Sequence, residues 1–101
     1  MTSNVQKVVT VVNPLGLHLR PAHVLSKAAA QFECMIEIEK DGQAIDCKSI
    51  MSILTLGAQQ GTQLQLRANG QDAQQAVDVL SHLFENGFDE TGSEVPTGQP
   101  G

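Results

Sequence analysis

The chain has 101 residues, 41% of them hydrophobic, which fits a single domain with a core of its own. Its net charge is −5, of which three negative charges lie in residues 89–101, so residues 1–88 carry −2. There is no basic stripe to neutralise phosphates, and only 3% of the residues are aromatic, which argues against a nucleic-acid-binding protein.

The first two elements differ in the spacing of their apolar residues. QKVVTVV, residues 6–12, is rich in valine and scarcely alternates, which predicts a strand in the centre of a sheet. NPLG, residues 13–16, predicts a loop. Apolar side chains in residues 20–32 recur at helical spacing, which predicts the first helix.

Two strands and a tight turn are predicted next. CMIEIEK, residues 34–40, alternates apolar and charged side chains. Asp41 and Gly42 form a dipeptide that favours a two-residue hairpin turn, so a third strand over residues 43–47 should pair antiparallel with the second.

A short apolar helix follows over residues 50–56. Ser49 is a good N-cap residue and Gly57 a good residue for the position after the helix. Five of the seven residues in this helix are apolar, too many for one buried stripe, so some of them should face solvent.

The last strand and helix have the clearest patterns. QLQLRAN, residues 63–69, alternates strictly, and residues 72–86 hold the best helical spacing in the chain. Gln71, where this helix starts, is a weak cap that an acidic first turn at Asp72 should offset. The order β-α-β-β-α-β-α predicts an α+β domain over residues 1–88, with a four-stranded antiparallel sheet covered on one face by three helices. Residues 89–101 are predicted to be a disordered acidic tail.

The two cysteines, Cys34 and Cys47, both fall in strand-like segments. We expect buried free thiols, with a disulfide or redox pair as the alternative. No charged-then-apolar leader and no long apolar run is found, so we expect a cytoplasmic protein without membrane insertion.

One histidine is placed where an anion would be stabilised. If the first helix begins at Leu19, His18 is its N-cap residue, next to backbone N–H groups that lack intrahelical acceptors and at the positive end of the helix dipole. Pro21 suits the first turn because its missing N–H breaks no helical bond. Helix N-termini of this kind bind phosphate.

The neighbours of His18 suit the same chemistry. Gly16 lets the entering loop bend, Arg20 can hold phosphate oxygens in its guanidinium fork, and Leu15, Leu17 and Leu19 should form an apolar collar. A neutral imidazole can attack phosphorus and become a phosphohistidine. The alternative is a surface histidine that only caps the helix.

Two segments resemble signatures of one protein family. GLHLRPA, residues 16–22, resembles the phosphorylation-site signature of HPr, the histidine-containing phosphocarrier of the bacterial phosphotransferase system. CKSIMSILTLG, residues 47–57, resembles the second signature of that family. The resemblance covers roughly residues 4–88, including the spacing of the signatures and the order of elements, and implies the open-faced β-sandwich of HPr.

The resemblance implies a carrier that is a substrate of enzymes rather than an enzyme, with no cofactor or metal. Enzyme I would phosphorylate His18 on Nδ1, and an EIIA-type sugar-transporter subunit would receive the group, with Arg20 steadying it. Ser49 matches a serine that an HPr kinase/phosphorylase modifies in many members. The alternative is an HPr-like regulatory protein, nitrogen-type or kinase-controlled, without sugar transport.

The resemblance also implies an apolar, weakly basic docking surface on a monomer. For Ile50, Met51 and Leu54 the alternative is packing in the core. Leu19 stands where the family commonly has a small residue. The candidates are Leu19, Lys27, Lys48, Ile50, Met51 and Leu54.

The other two histidines suggest no metal site. His23 lies roughly 140° around the helix from His18, so we expect a solvated helix residue there rather than a metal site shared by the two. His82 should be an exposed or half-buried helix residue.

Overall fold

The computed structural model describes residues 3–89, which form four strands and three helices in the predicted order, followed by a short C-terminal turn. The elements are β1 Ser3–Thr10, α1 Leu19–Ala29, β2 Met35–Lys40, β3 Gln43–Asp46, α2 Ile50–Thr55, β4 Gln63–Gly70, α3 Ala73–Glu85 and the C-terminal turn Gly87–Asp89. The turn includes the first residue of the predicted tail; residues 90–101 lie outside the described range.

The sheet is antiparallel throughout, with strand order β1-β4-β2-β3. The predicted fold is therefore confirmed, but the prediction that the first strand is central is wrong. Among the described residues β1 is an edge strand, paired with β4 from Ser3 opposite Gly70 to Thr10 opposite Gln63. Its valine run does not mark a central strand, because Val8 is 54% exposed on the outer face of the sheet.

The core lies between the sheet and the helices. Strand β4 contributes Leu64, Leu66 and Ala68, and β2 contributes Ile36 and Ile38, all fully buried as their alternation predicts. The helices cover this face with side chains that are also buried, namely Leu25, Ala29, Ile53, Ala76, Val77, Leu80 and Phe84.

The opposite face of the sheet is polar. Arg67 of β4 forms ion pairs with Glu37, at 3.8 Å, and with Glu39, both on β2. These pairs cross adjacent strands, as the register requires, since Glu37 lies opposite Arg67.

The hairpin turn between β2 and β3 confirms a local prediction, whereas the end of α1 differs from the predicted one. Asp41 and Gly42 both have positive φ, 52° and 84°, as a two-residue hairpin turn requires. Helix α1 ends at Ala29, earlier than the predicted limit of residue 32, and Phe32 packs half-buried against the core beyond it.

Helix α3 begins differently from the prediction. Asp72, not Gln71, is the N-cap residue, and its carboxylate makes no capping hydrogen bond. It accepts hydrogen bonds from the backbone N–H groups of Glu33, at 2.9 Å, and Cys34, at 3.0 Å. These bonds lower the pKa of Asp72, with the one from Glu33 as the largest cause, and join the start of α3 to the segment before β2.

Both cysteines are buried free thiols, as predicted. Burial is the largest cause that raises the pKa of Cys34, and together with the hydrogen bond and charge of Asp72 it brings the pKa to about 11. Burial likewise raises the pKa of Cys47 to about 12. No helix within residues 3–89 is long and apolar enough to cross a bilayer.

Candidate functional site

His18 is the N-cap residue of α1, as predicted. Its backbone is extended, with φ −81° and ψ −168°, and its carbonyl accepts the hydrogen bond from the N–H of Ala22 at 3.0 Å. Within residues 3–89 the N–H groups of Leu19 and Arg20 donate to no acceptor, and Pro21 has no N–H. The helix therefore presents two donors and its positive end beside the histidine.

The ring of His18 is half-buried, and its two nitrogens are not equivalent. Nε2 is shielded from solvent. The side chain does not cap its own helix, so the ring is not folded back onto the donors of the first turn. Those donors stay available to an anion attached to the ring.

The loop before His18 is held by the segment that follows α2. The N–H of Leu17 donates to the carbonyl of Ala58 at 2.9 Å. Gly16 has φ +72°, and a Cβ there would lie 2.4 Å from the Ala58 oxygen and 3.0 Å from Cα of Gln59. Gly16 therefore does more than let the loop bend: it permits a close backbone approach that any side chain would block.

Asn13 has a structural role in this loop that the sequence analysis did not predict. It is 0% exposed, and its Nδ2 donates to the carbonyl of Gly87 at 2.8 Å. Its own carbonyl accepts from the N–H of Gly16 at 2.9 Å. The loop is thus connected to the C-terminal turn as well as to the segment after α2.

The side chains around His18 confirm the prediction only in part. Leu15 and Leu19 are 77% and 63% exposed, but Leu17 is buried in the core, so the predicted collar has two members rather than three. Arg20 is exposed, and no ion pair or hydrogen bond holds its guanidinium within the described part of the chain.

Ser49 is the N-cap residue of α2, also as predicted. Its Oγ accepts a hydrogen bond from the N–H of Ser52 at 3.2 Å. The hydroxyl group is part of the local helix cap, and α2 packs against α1. A charge added at Ser49 would therefore lie near the helix that begins at His18.

The residues predicted for the docking surface differ in how far they are exposed to solvent. Met51 is 74% exposed, whereas Ile50 and Leu54 are half-buried and pack against the core. Lys27 is exposed at the end of α1. Lys48 is half-buried, and its Nζ donates to the carbonyl of Phe32 at 2.7 Å, so one of its three N–H donors is used inside the protein.

The remaining histidines lie apart from this site. His23 is exposed on α1, and His82 is exposed on α3 with its Nδ1 4.0 Å from a Glu85 carboxylate oxygen, so both expectations of solvated helix residues are confirmed. Among residues 3–89, no group of three or more His, Cys, Asp or Glu side chains is arranged to hold a metal ion.

The chain is similar in sequence and in fold to one group of known proteins. Residues 5–86 match the family model PTS-HPr, described as the PTS HPr component phosphorylation site. The phosphocarrier protein HPr of Xylella fastidiosa is 40% identical over 81 residues, covering 80% of this chain and 91% of that protein. A multiphosphoryl transfer protein of Haemophilus influenzae is 35% identical over 94 residues, covering 90% of this chain and 19% of that protein. The crystal structure of HPr-C-His from Thermoanaerobacter tengcongensis has a TM-score of 0.82 and 37% identity, covering 85% of this chain and 97% of that one.

Proposed function

Since the chain belongs to the HPr family of phosphocarriers, we propose that His18 accepts a phosphoryl group from phosphorylated enzyme I of the phosphotransferase system. It then passes the group to an EIIA-type sugar-transporter subunit. The observation that carries the proposal is the position of His18 at the start of α1, beside the N–H groups of Leu19 and Arg20.

The acceptor atom in this proposal is Nδ1. A large phosphoryl donor cannot reach Nε2, which is buried. The neutral ring keeps its proton on Nε2, and the lone pair of Nδ1 forms the new P–N bond as the P–N bond of the donor phosphohistidine breaks. The leaving nitrogen of the donor keeps the electron pair, and the transfer from His18 to the next protein is the same exchange in reverse.

The phosphoryl oxygens are stabilised by the first turn of α1. The N–H groups of Leu19 and Arg20 donate to them, and the guanidinium of Arg20, which is exposed, folds over them as a bidentate donor. A charge-assisted hydrogen bond contributes about 1.5–3 kcal/mol. A few such bonds stabilise the phosphorylated state and still allow the group to leave.

Docking to both partners uses the exposed apolar residues near His18. Leu15 and Leu19 border the histidine, Met51 projects from the neighbouring helix, and Lys27 adds positive charge at the end of α1. Exposed apolar side chains collected around a reactive group are typical of a transient interface. Ile50, Leu54 and Lys48 contribute less because they are partly committed to internal contacts.

Ser49 is the proposed site of regulation by an HPr kinase/phosphorylase. A phosphate on Oγ brings close to two negative charges to the start of α2, which a helix N-terminus tolerates. The fold should persist, while the apolar docking surface on the adjoining helices gains a repulsive charge. The measurement is site mapping after incubation with ATP and the kinase, with Ser49→Ala as the control. Acid-stable phosphate elsewhere, or none, would remove this role.

The phosphocarrier proposal is tested by intact mass after incubation with phosphoenolpyruvate and enzyme I. We expect one acid-labile phosphoryl group on the wild type and on His23→Ala, which removes an exposed histidine of the same helix, and none on His18→Ala. An equal mass gain on His18→Ala would refute the assignment. A phosphorylated His18 that no EIIA subunit accepts would instead favour the regulatory alternative.

A further inference from the structure

The C-terminal turn has an unusual backbone. Gly87, Phe88 and Asp89 have φ values of 60°, 55° and 59°, so three successive residues adopt the left-handed conformation. Glycine does so readily, but a bulky residue such as Phe88 is strained there. Strain of this kind persists only where the surrounding structure imposes it, and it is concentrated at functional sites.

The contacts that impose the strain are those of a packed element. Phe88 is 5% exposed, and its ring meets that of Phe84 edge-to-face with centroids 4.9 Å apart. The turn packs against α3 and also against α1, the helix that begins at His18. The buried carbonyl of Gly87 accepts the Nδ2 hydrogen bond of Asn13.

We propose that Asn13 is a positioning residue for phosphoryl transfer, which joins the strained C-terminal turn to the loop that orients His18. The proposal rests on the phosphocarrier function proposed above. Asn13 makes one hydrogen bond to the C-terminal turn and one within its own loop. Its side chain donates to the carbonyl of Gly87, and its backbone carbonyl accepts from the N–H of Gly16. Leu17, next in the chain, is bonded to Ala58, so the backbone that leads into His18 is fixed from two sides.

The chemistry explains why this position requires an amide. The carbonyl of Gly87 is a buried acceptor, and a buried carbonyl without a donor is costly. Asparagine supplies a neutral N–H at the required distance, whereas alanine supplies none and aspartate supplies a negative charge. Replacement of Asn13 frees the loop and the turn together, and His18 loses the orientation from which Nδ1 meets the donor.

The test compares full-length variants as acceptors of phosphoryl groups from enzyme I. Asn13→Ala and Phe88→Ala act on the two ends of the proposed connection. Phe88→Leu conserves most of the buried volume and guards against a variant that fails to fold. Ile45→Ala removes a half-buried side chain from β3, the far edge strand, and is the control for destabilisation alone.

The variants are compared at a temperature where every one of them is folded. With Asn13→Ala or Phe88→Ala as the acceptor, we expect the kcat of phosphoryl transfer from enzyme I to fall about tenfold. The KM for the acceptor should stay unchanged within about twofold, because the docking residues are untouched. Phe88→Leu should recover most of the rate, and Ile45→Ala should retain it. Since both alanine variants interrupt one connection, the double variant should be hardly slower than either single variant.

A second measurement separates the connection from the chemistry. Backbone amide resonances of Gly16, Leu17 and Leu19 should move in Asn13→Ala and in Phe88→Ala but not in Ile45→Ala. Wild-type kcat in Asn13→Ala and Phe88→Ala, or unchanged resonances in both, would overturn the proposal while the wild type remains a carrier. A wild type that accepts no phosphoryl group would remove the proposed function and, with it, the positioning role.

Discussion

Substitution of Gly16 by alanine tests the packing of the loop before His18 most directly. The structure gives two separate reasons for a cost. Gly16 has φ +72°, where an L-residue is strained, and a Cβ would lie 2.4 Å from the carbonyl oxygen of Ala58. The Ala58 oxygen is a backbone atom, which cannot rotate out of the way as a flexible side chain can.

The two costs can be estimated independently. A left-handed conformation costs a non-glycine residue about 1–2 kcal/mol. Forcing an extra carbon into a packed site costs about 1–3 kcal/mol more. We therefore expect Gly16→Ala to lower the free energy of unfolding by about 2–5 kcal/mol, a large share of the roughly 5–15 kcal/mol typical of a folded domain.

Gly57→Ala is the matched control. Gly57 also has positive φ, +59°, but nothing lies within 4 Å of a Cβ built there. Gly57→Ala should therefore lower the free energy of unfolding only by the cost of the left-handed conformation, about 1–2 kcal/mol. The assay is urea unfolding of both variants and the wild type, followed by phosphoryl acceptance from enzyme I under conditions where all three are folded.

The difference between the variants isolates the clash with Ala58. Gly16→Ala should also accept phosphoryl groups more slowly, because the added Cβ displaces the loop at a position only two residues before His18. Gly57→Ala should accept them at the wild-type rate. Equal free energies of unfolding for Gly16→Ala and Gly57→Ala would mean that the loop moves aside without cost. The account of the close backbone approach would then be wrong.

Three further outcomes are expected. Because the folded state lowers the pKa of Asp72, its carboxylate stabilises the fold above the unfolded pKa near 3.8 and ceases to do so as the pH falls through the lower folded value. In urea unfolding, the advantage of the wild type over Asp72→Asn should thus shrink between pH 6 and pH 3; a constant difference would contradict this. Cys34 and Cys47, with pKa values raised to about 11 and 12, should react with a thiol reagent at pH 8 only at the rate of unfolding, and rapid labelling would contradict their burial. Ser49→Ala should cost about 1 kcal/mol through the lost helix cap and leave phosphorylation of His18 intact; an unchanged urea midpoint would refute the capping role.

Local chemistry explains why the sequence predicted the start of α1 and the hairpin correctly. The N-cap position of His18 follows from the loop before it and from Pro21 in the first turn, both near neighbours in the chain. The turn at Asp41 and Gly42 is likewise specified by two adjacent residues that tolerate positive φ.

The predictions that failed or were missing depend on distant partners. The edge position of β1 is decided by its pairing with β4, which the valine run of β1 does not encode. Asn13 donates to a carbonyl 74 positions away, and Lys48 to the carbonyl of Phe32, and a backbone acceptor leaves no trace in the side-chain pattern. The same applies to Asp72, whose two donors are backbone amides of another segment.

The pairing of β1 also governs the order in which the molecule can be completed during synthesis. Ser3 lies opposite Gly70, so β1 has no neighbour in this sheet until β4 has been translated. The hairpin of β2 and β3 closes over only a few residues and can form first, whereas β1 must close a loop of some sixty residues, which is entropically unfavourable and slow. Until β4 has been translated, the nascent chain therefore carries His18 on a segment whose N-terminal side is not yet anchored in the sheet.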